Sequence, residues 1–124
     1  MTDKTNEKIP FGEKIQVKLI GGEVFFGPGP KRLLFAIQEK GSVTGACQEM
    51  GISYSKGRGI IRRMEQEMGF ELVERRQGGA GGGSAGLTPK GERFLEVFAK
   101  YENAVQDYAQ SIFHDYFEEP EERQ

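Results

Sequence analysis

The sequence has few of the residues on which catalytic and metal sites depend. It contains one cysteine, Cys47, and one histidine, His114. An internal disulfide is therefore excluded, and the two side chains offer no metal cluster. The glycine-rich stretch 78–83 lacks the Lys-Ser/Thr that ends a phosphate-binding loop and the helix start that follows it. The sequence predicts no enzyme, no metal and no cofactor.

Long apolar runs are also missing. No segment approaches the ~18 apolar residues that a membrane-spanning helix needs. The polar start, Met1 to Lys8, has no apolar stretch of the kind found in a signal peptide. The length of 124 residues suits one domain with a modest core, and 36% apolar with 29% charged residues indicates a soluble, folded chain. We expect a cytoplasmic protein.

The chain has no excess of positive charge: 17 basic side chains stand against 19 acidic ones, and the formal net charge is −2. Its distribution is uneven, however. Residues 30–93 carry eleven basic side chains against seven acidic ones, whereas residues 94–124 carry two against eight. Because charges act over a screening length of ~10 Å, the cationic middle segment can bind a phosphate backbone although the chain is acidic.

Two short helices are predicted at the start of this cationic segment. Pro30 suits the first turn of a helix, which stops at Gly41, and Ser42 is a good N-cap for a second helix, Val43 to Met50. The small residues around Cys47 favour buried packing; a redox sensor is the alternative, although no cationic residue adjoins this cysteine in sequence. The apolar face of the first helix comprises Leu33, Leu34, Ile37 and, as a further candidate, Phe35.

The third predicted helix has the pattern of a helix that enters DNA. It follows the turn Gly51–Ser53, is capped by Ser53, and runs to about Met68 before Gly69. One face is apolar and must pack on the first two helices, while the other is small, polar and cationic. The inward face comprises Gly57, Ile61, Met64 and Met68; the outward face comprises Ser55, Gly59, Arg62 and Gln66, flanked by Arg58 and Arg63.

Two glycines inside this helix weaken it by ~1 kcal/mol each. Gly57 faces inward, where its missing side chain lets a neighbouring helix approach. Gly59 faces outward, and two interpretations stay open. Either it lets the helix backbone come near DNA, or it marks a weak, irregular stretch of helix.

Two β-hairpins flank the three helices. Lys14 to Ile20 alternates polar and apolar residues, and Glu23 to Phe26 returns after the turn Gly21-Gly22. Glu71 to Arg76 and Ala85 to Thr88 form the second hairpin, the wing. For the glycine-rich tip at 77–84, a mobile segment that orders on DNA and a passive flexible turn both fit.

A long helix opens at Thr88-Pro89 and is predicted to reach Phe117. About 28 residues make it ~42 Å long, more than so small a domain can cover. Its apolar residues follow the 4-3-4-3-4 spacing of a coiled-coil seam, and an uncovered stripe of this kind marks a partner surface. We expect a homodimer whose interface comprises Phe94, Phe98, Tyr101, Val105, Tyr108 and Ile112.

These elements predict a mainly α fold with a small β component (α+β). It is a winged helix-turn-helix with an N-terminal β-hairpin and a long C-terminal dimerisation helix. The predicted parts are a flexible tail at 1–13, a DNA-binding domain at 14–88, the dimerisation helix at 89–117 and an acidic tail at 118–124.

Two sets of motifs are typical of known families. The first comprises Ile52-Ser53, Ile60 to Glu65, Gly69, Leu72-Val73, Arg75 and Leu87-Thr88-x-x-Gly91; the second comprises the leading hairpin, Gly41-Ser42 with Gly45-Ala46, Gly51 to Tyr54 and the glycine-rich wing. In the first set the sequence resembles the winged helix-turn-helix of LysR-type bacterial regulators, and in the second it resembles, more closely, the N-terminal domain of the ModE family of molybdate-dependent regulators. The resemblance covers roughly Lys14 to Tyr108. It implies a dimeric bacterial transcriptional regulator.

Two departures from the ModE pattern limit what the resemblance implies. Gly57 and Arg58 stand where that family usually has alanine and tryptophan, so the base sequence that is read is expected to differ. The sequence stops at Gln124, before the ligand-binding modules of the full-length regulators. We therefore expect that molybdate sensing does not carry over and that any effector is unknown.

The predicted DNA contacts divide by role. Base contacts are predicted for Ser55, Arg58 and Arg62, since arginine suits guanine O6 and N7. Phosphate contacts, which set the register on the duplex, are predicted for Tyr54, Lys56, Arg63, Ser42 and Thr44. Arg75 and Arg76 are expected at the adjacent backbone or minor groove, and Ser53 and Gly59 complete the predicted face. For each arginine, a solvated surface charge is the alternative.

The expected partner is double-stranded DNA with a pseudo-palindromic operator, its half-sites about one or two helical turns apart. A rival hypothesis is a protein-interaction module that pairs with a larger regulator and modulates its DNA binding. The acidic C-terminal end favours this rival. Direct DNA binding at a stated salt concentration separates the two.

Overall fold

The computed structural model of the protein describes residues 9–76 and 83–118. The start of the predicted tail (1–8), most of the predicted wing tip (77–82) and the end of the acidic tail (119–124) lie outside the described residues. In chain order the elements are β1 (Leu19–Ile20), β2 (Val24–Phe26), α1 (Pro28–Lys40), α2 (Val43–Met50), α3 (Tyr54–Met68), β3 (Val73–Arg76), β4 (Ser84–Leu87) and α4 (Pro89–Phe117). The predicted mainly α fold with two antiparallel hairpins is confirmed.

The chain divides into two compact units. The helix-turn-helix unit is Val17–Phe98, and the terminal unit is Met1–Gln16 together with Ala99–Gln124. The first contains the two hairpins, the three shorter helices and the start of α4. The second contains the rest of α4.

Hydrogen-bonded caps fix the ends of α1, α2 and α3. The hydroxyl oxygen of Ser42 accepts from the Gly45 N–H at 2.8 Å, and that of Ser53 accepts from the Lys56 N–H at 3.0 Å. Both satisfy amide groups that a helix start leaves unpaired. The helices end at Gly41, Gly51 and Gly69, which all have positive φ, a conformation that glycine adopts without steric cost. Both predicted N-caps and all three predicted stops are confirmed.

The core of the helix-turn-helix unit is apolar and contains side chains from every helix. Its largest fully buried members are Phe26, Leu33, Leu34, Ile37, Met64 and Leu72. Ile61, on the predicted inward face of α3, is also buried. Phe35 is 46% exposed, so its candidacy for the core was wrong. At 3.6 residues per turn it lies on the opposite side of α1 from Leu33 and Ile37.

Helices α2 and α3 pack closely where Gly57 faces Cys47. Gly57 is buried, and a methyl group on its α-carbon would overlap the sulfur of Cys47. This confirms that Gly57 faces inward and permits close helix packing. Burial raises the pKa of the Cys47 thiol. Because the thiolate is the reactive form, this favours the packing role of Cys47 over a redox role.

The leading hairpin is shorter than predicted. Only Leu19 and Ile20 pair with β2, around a bulge. Residues 14–18 keep the predicted alternation of exposure, but β2 gives way to α1 at Pro28, so they have no partner strand. Glu23 lies in the turn and not in the second strand, and α1 starts at Pro28 instead of Pro30. Both prolines fit in the first turn of a helix because neither N–H is needed there.

Residues 9–16 of the terminal unit run along α4. The ring of Phe11 packs edge-on against Phe113 and Phe117, with centroids 6.0 and 5.8 Å away. The Ile15 N–H donates to the side-chain oxygen of Gln106 at 2.9 Å. The predicted flexible tail at 1–13 therefore needs correction for residues 9–13, because the ring of Phe11 packs against the aromatic end of α4.

The contact between Gly57 and Cys47 predicts a specific stability pattern. Gly57→Ala is expected to destabilise the unit by ~1–3 kcal/mol through overpacking, and Cys47→Ala added to it should restore part of the loss. Gly59→Ala is the matched control. A Cβ there meets nothing within 4 Å, so this change should stabilise by ~0.5–1 kcal/mol through helix propensity. Urea unfolding of the four proteins measures these differences, and equal effects at 57 and 59 would contradict the packing role.

Candidate nucleic-acid interface

The outward face of α3 is exposed and cationic in the structure. Ser55, Lys56, Arg58, Gly59 and Arg62 are all exposed, while Gly57, Ile61 and Met64 on the opposite face are buried. The hydrogen-bonded cap at Ser53 begins the helix, and the buried face fixes its rotation. The five exposed residues therefore project away from the core together.

Arg58 and Arg62 are available on this face. The Arg58 guanidinium lies 5.9 Å from the ring centre of Tyr54, one turn earlier, a cation–π contact that orients the side chain without neutralising it. Within residues 9–76 and 83–118, neither arginine has a carboxylate partner within ion-pair distance. Both therefore carry uncompensated positive charge into solvent.

Arg63 is placed differently from these two. It is half-buried, and it pairs with Glu23 at 3.5 Å and with Glu67, one turn on, at 3.6 Å. Solvent-accessible ion pairs of this kind contribute about 0–1 kcal/mol, so a phosphate group can replace the carboxylates. Arg63 thus links α3 to the turn of the leading hairpin in the free protein.

Four of the residues predicted to contact DNA lie at the starts of α2 and α3. Two of them are the helix caps, and the other two are next to the caps in sequence or one residue further on. The oxygens of Ser42 and Ser53 already accept backbone hydrogen bonds. Thr44 is exposed on the first turn of α2, and Tyr54 is 43% exposed at the start of α3. The structure brings Ser53 and Tyr54 next to the cationic face of α3.

The two wing arginines lie on β3, and both are exposed. Arg75 is paired in register with Ala85, and Arg76 with Ser84. Arg76 also donates to the carboxylate of Glu74 at 3.1 Å, which leaves Arg75 as the less engaged of the two. The hairpin is attached to the helices by the Ala85 N–H, which donates to the Gly41 carbonyl at 2.8 Å.

A carboxylate outside the predicted DNA contacts holds the start of β3 against α3. One oxygen of Glu65 accepts from the N–H groups of Leu72 and Val73, at 2.8 and 3.1 Å. Glu65 is not among the predicted contacts, because helical spacing alone does not show which backbone groups its carboxylate meets. Its position four residues before the Gly69 stop was the available signal, because it places the side chain beside the chain leaving the helix.

Thr88 and Gly91 join the wing to α4. Thr88 accepts from the Gly91 N–H at 2.9 Å as an N-cap, and its hydroxyl donates to the Glu71 carbonyl at 2.7 Å. A side chain at Gly91 would overlap the carbonyl of Leu72. The predicted cap at Thr88 is therefore confirmed, and the glycine is required for close approach of α4 to the wing.

The six predicted interface residues on α4 do not share one environment. Phe98 is buried, and Phe94 is half-buried; both pack edge-on against Phe26, with ring centres 4.8 and 4.9 Å away. The prediction needs correction for these two, because their rings fill the chain's own core. Tyr101 and Tyr108 are 56% and 67% exposed, and Val105 and Ile112 are half-buried.

Comparison with known proteins agrees with this geometry. A family model described as "Bacterial regulatory helix-turn-helix protein, lysR family" matches residues 31–92, half of the chain. The chain belongs to this LysR family. The matched range begins in α1, contains α2, α3 and the wing strands, and ends in the first turn of α4.

The chain is also similar to individual regulators, among them a ModE protein. The DNA-binding transcriptional dual regulator ModE of Escherichia coli (strain K12) is 38% identical over 85 residues, which cover 68% of this chain and 30% of that protein. The molybdenum-pterin-binding protein MopB of Rhodobacter capsulatus is 34% identical over 73 residues, which cover 59% of this chain and 27% of that protein. The chain thus spans less than a third of the length of these two curated relatives.

Among solved structures, the chain is similar to the crystal structure of a CbnR_DBD–DNA complex. The sequence identity is 19% and the TM-score 0.48, and the match covers 66% of this chain and 92% of that one.

Membership of a family of regulators confirms the expectation that the protein is not an enzyme. The sequence from Gly82 to Gly86 matches the Gly-x-Ser-x-Gly pattern of the nucleophile elbow in hydrolases. That elbow needs a strand-to-helix turn, whereas Ser84 pairs with Arg76 in the wing hairpin. In the part of the chain that the structure describes, no helix is long and apolar enough to cross a bilayer.

Loss of the Glu65 carboxylate is expected to loosen the wing. Glu65→Ala leaves the N–H groups of Leu72 and Val73 unpaired, and because Leu72 is fully buried the cost should be ~1–3 kcal/mol. Glu65→Gln keeps an acceptor oxygen and should lose less, and Glu67→Ala is the control on the same helix. Hydrogen exchange at the amides of residues 72 and 73, with urea unfolding, is the measurement; unchanged protection in Glu65→Ala would refute the role.

Proposed function

We propose that the protein is a sequence-specific transcriptional regulator that binds double-stranded DNA as a homodimer in the cytoplasm. The observation that carries this proposal is the outward face of α3, where Arg58 and Arg62 are exposed and lack carboxylate partners among the described residues. An exposed cationic helix on a rigid core suits the major groove, whose base edges accept hydrogen bonds from arginine.

The proposed contacts follow from the position of each side chain. Arg58 and Arg62, with the small residues Ser55 and Gly59 beside them, reach base edges. Lys56 and Tyr54 contact phosphates at the start of the helix, where backbone contacts fix its register. Arg63, with Arg75 and Arg76 on the wing and Ser42 and Thr44 at the start of α2, contributes further phosphate contacts. Arg63 and Arg76 must first exchange their carboxylate partners for phosphate.

Removal of Arg62 tests the base-reading role. Arg62→Ala is expected to weaken binding to the preferred site by ~1–3 kcal/mol and to relax preference at one base pair. Arg93→Ala, which removes an exposed arginine on α4, is the matched control and should leave affinity nearly unchanged. Selection of bound fragments from host DNA, followed by fluorescence anisotropy at fixed salt, measures both effects. A uniform loss on every sequence would instead assign Arg62 to a phosphate.

The dimer proposal rests on the part of the α4 seam that remains outside the core. Tyr101, Val105, Tyr108 and Ile112 are spaced 4-3-4 along one helix, so they form a single stripe. The two tyrosines are more than half exposed. Pairing of this stripe with its copy would cover them, and it would present two α3 helices to a pseudo-palindromic operator with half-sites about one or two turns apart.

A charge placed in this stripe is expected to separate the subunits. Tyr108→Glu should shift the protein from dimer to monomer, since it puts two like charges into the proposed interface. Gln110→Glu adds the same charge at an exposed position two residues away and should leave the dimer intact. Sedimentation equilibrium across a concentration series is the measurement. A wild-type monomer, or two variants that behave alike, would exclude this interface.

The rival function, a module that pairs with a larger regulator, predicts a different response to salt. Direct binding by this chain loses affinity steeply as salt rises, because each neutralised phosphate releases counterions. A salt series of DNA binding therefore distinguishes the two functions. Absent or salt-insensitive binding would favour the interaction module.

A further inference from the structure

A groove borders the outward face of α3 within the helix-turn-helix unit. Its volume is about 620 Å³, in the range of small-molecule sites. Strand β2, the start of α1 and the first three turns of α3 line it, together with Lys18. Its apolar wall is formed by Val24, Phe25, Pro28, Pro30 and Ile60.

Two features leave this apolar wall accessible. Gly59 lies on the lining, and a Cβ there would meet nothing within 4 Å. Val24 is 51% exposed although it is in a strand. A ligand with apolar rings or branches would bury this surface, which is the main source of affinity in such sites.

The charged side chains that line the groove are all positive. Lys18, Lys56 and Arg63 line it, and no carboxylate does. Arg63 is engaged by Glu23 and Glu67. Lys18 and Lys56 have no ion-pair partner in the part of the chain that the structure describes. An apolar wall beside two unpaired ammonium groups is complementary to an organic anion.

We propose that this groove is an effector site for a small organic anion, an aromatic or branched carboxylate, whose binding opposes DNA binding. Lys56 and Gly59 belong both to the groove and to the proposed DNA contacts, so ligand and duplex compete for the same surface. This coupling rests on the proposed function, whereas occupation of the groove does not. Because linkage is reciprocal, DNA must lower the affinity for the ligand by the same factor by which the ligand lowers the affinity for DNA.

The first experiment tests occupation of the groove without DNA. The probe is 8-anilinonaphthalene-1-sulfonate, an aromatic anion that fluoresces in apolar surroundings, and N-phenyl-1-naphthylamine is its neutral counterpart with the same rings. The anion should bind the full chain at one site and raise its Tm, as a ligand of the folded state does. A lowered Tm would mean that the probe binds partly unfolded chains, and it would overturn the proposal.

Matched variants assign the probe to this groove. Lys56→Gln should weaken the anion about three- to tenfold and leave the neutral probe unchanged, while Lys90→Gln, an exposed lysine outside the groove, should change neither. Gly59→Leu fills the groove and should reduce the binding of both probes, and Gly59→Ala should reduce it less. Equal anion binding in Lys56→Gln and Lys90→Gln, or full binding in Gly59→Leu, would overturn the site.

The second experiment tests the coupling to DNA. The anion should raise the apparent Kd of the wild-type protein for a selected duplex. Val24→Asp, outside the predicted DNA contacts, should remove this competition by repelling the anion, and Val24→Asn is its neutral control. If the duplex binds and the anion does not compete, the coupling is refuted. If the chain binds no DNA while the probe still follows the groove variants, the proposed function fails and the ligand site stands.

Discussion

The close packing of α3 on α2, at Gly57 and Cys47, is the contact on which the proposed interface depends. Only the face of a helix that does not pack on other elements is exposed to solvent. Because Gly57 packs inward, it fixes the rotation of α3 about its axis and therefore which residues point outward. Gly57 allows contact with the sulfur of Cys47, and Ile61 and Met64 continue the same face into the core. Ser55, Arg58 and Arg62 are consequently exposed on the other side. Specific DNA contacts require this fixed rotation, since base edges are read by side chains held in register.

The same helix also anchors the elements around it. Glu65 holds the start of the wing strand through two backbone hydrogen bonds, and Arg63 joins the leading hairpin through Glu23. Thr88 then ties the end of the wing to α4. Surface ion pairs contribute little to stability, so the backbone hydrogen bonds and the apolar core determine the arrangement. The fold therefore does not depend on the exposed charges of α3, which are available to contact a binding partner.

Local signals made much of this fold predictable from sequence. Ser42, Ser53 and Thr88 cap helices, and Gly41, Gly51 and Gly69 end them, because these residues satisfy or tolerate what a helix terminus requires of the backbone. Contacts between residues that are distant in sequence were harder to predict. The Glu65 anchor, the packing of Phe11 on Phe113 and the use of Phe94 and Phe98 in the core depend on which surfaces meet, and helical spacing alone does not contain that information. The groove beside Gly59 likewise arises only when β2 lies next to α3.

The central claim, that the outward face of α3 contacts DNA, is tested most directly by residue-resolved mapping of the bound protein. Amide NMR shifts of the full chain are followed during titration with a host DNA fragment that the protein selects. The account predicts the largest changes at residues 54–63, with smaller changes at 75 and 76 on the wing. Changes confined to α4, with the amides of α3 unmoved at saturating DNA, would contradict it.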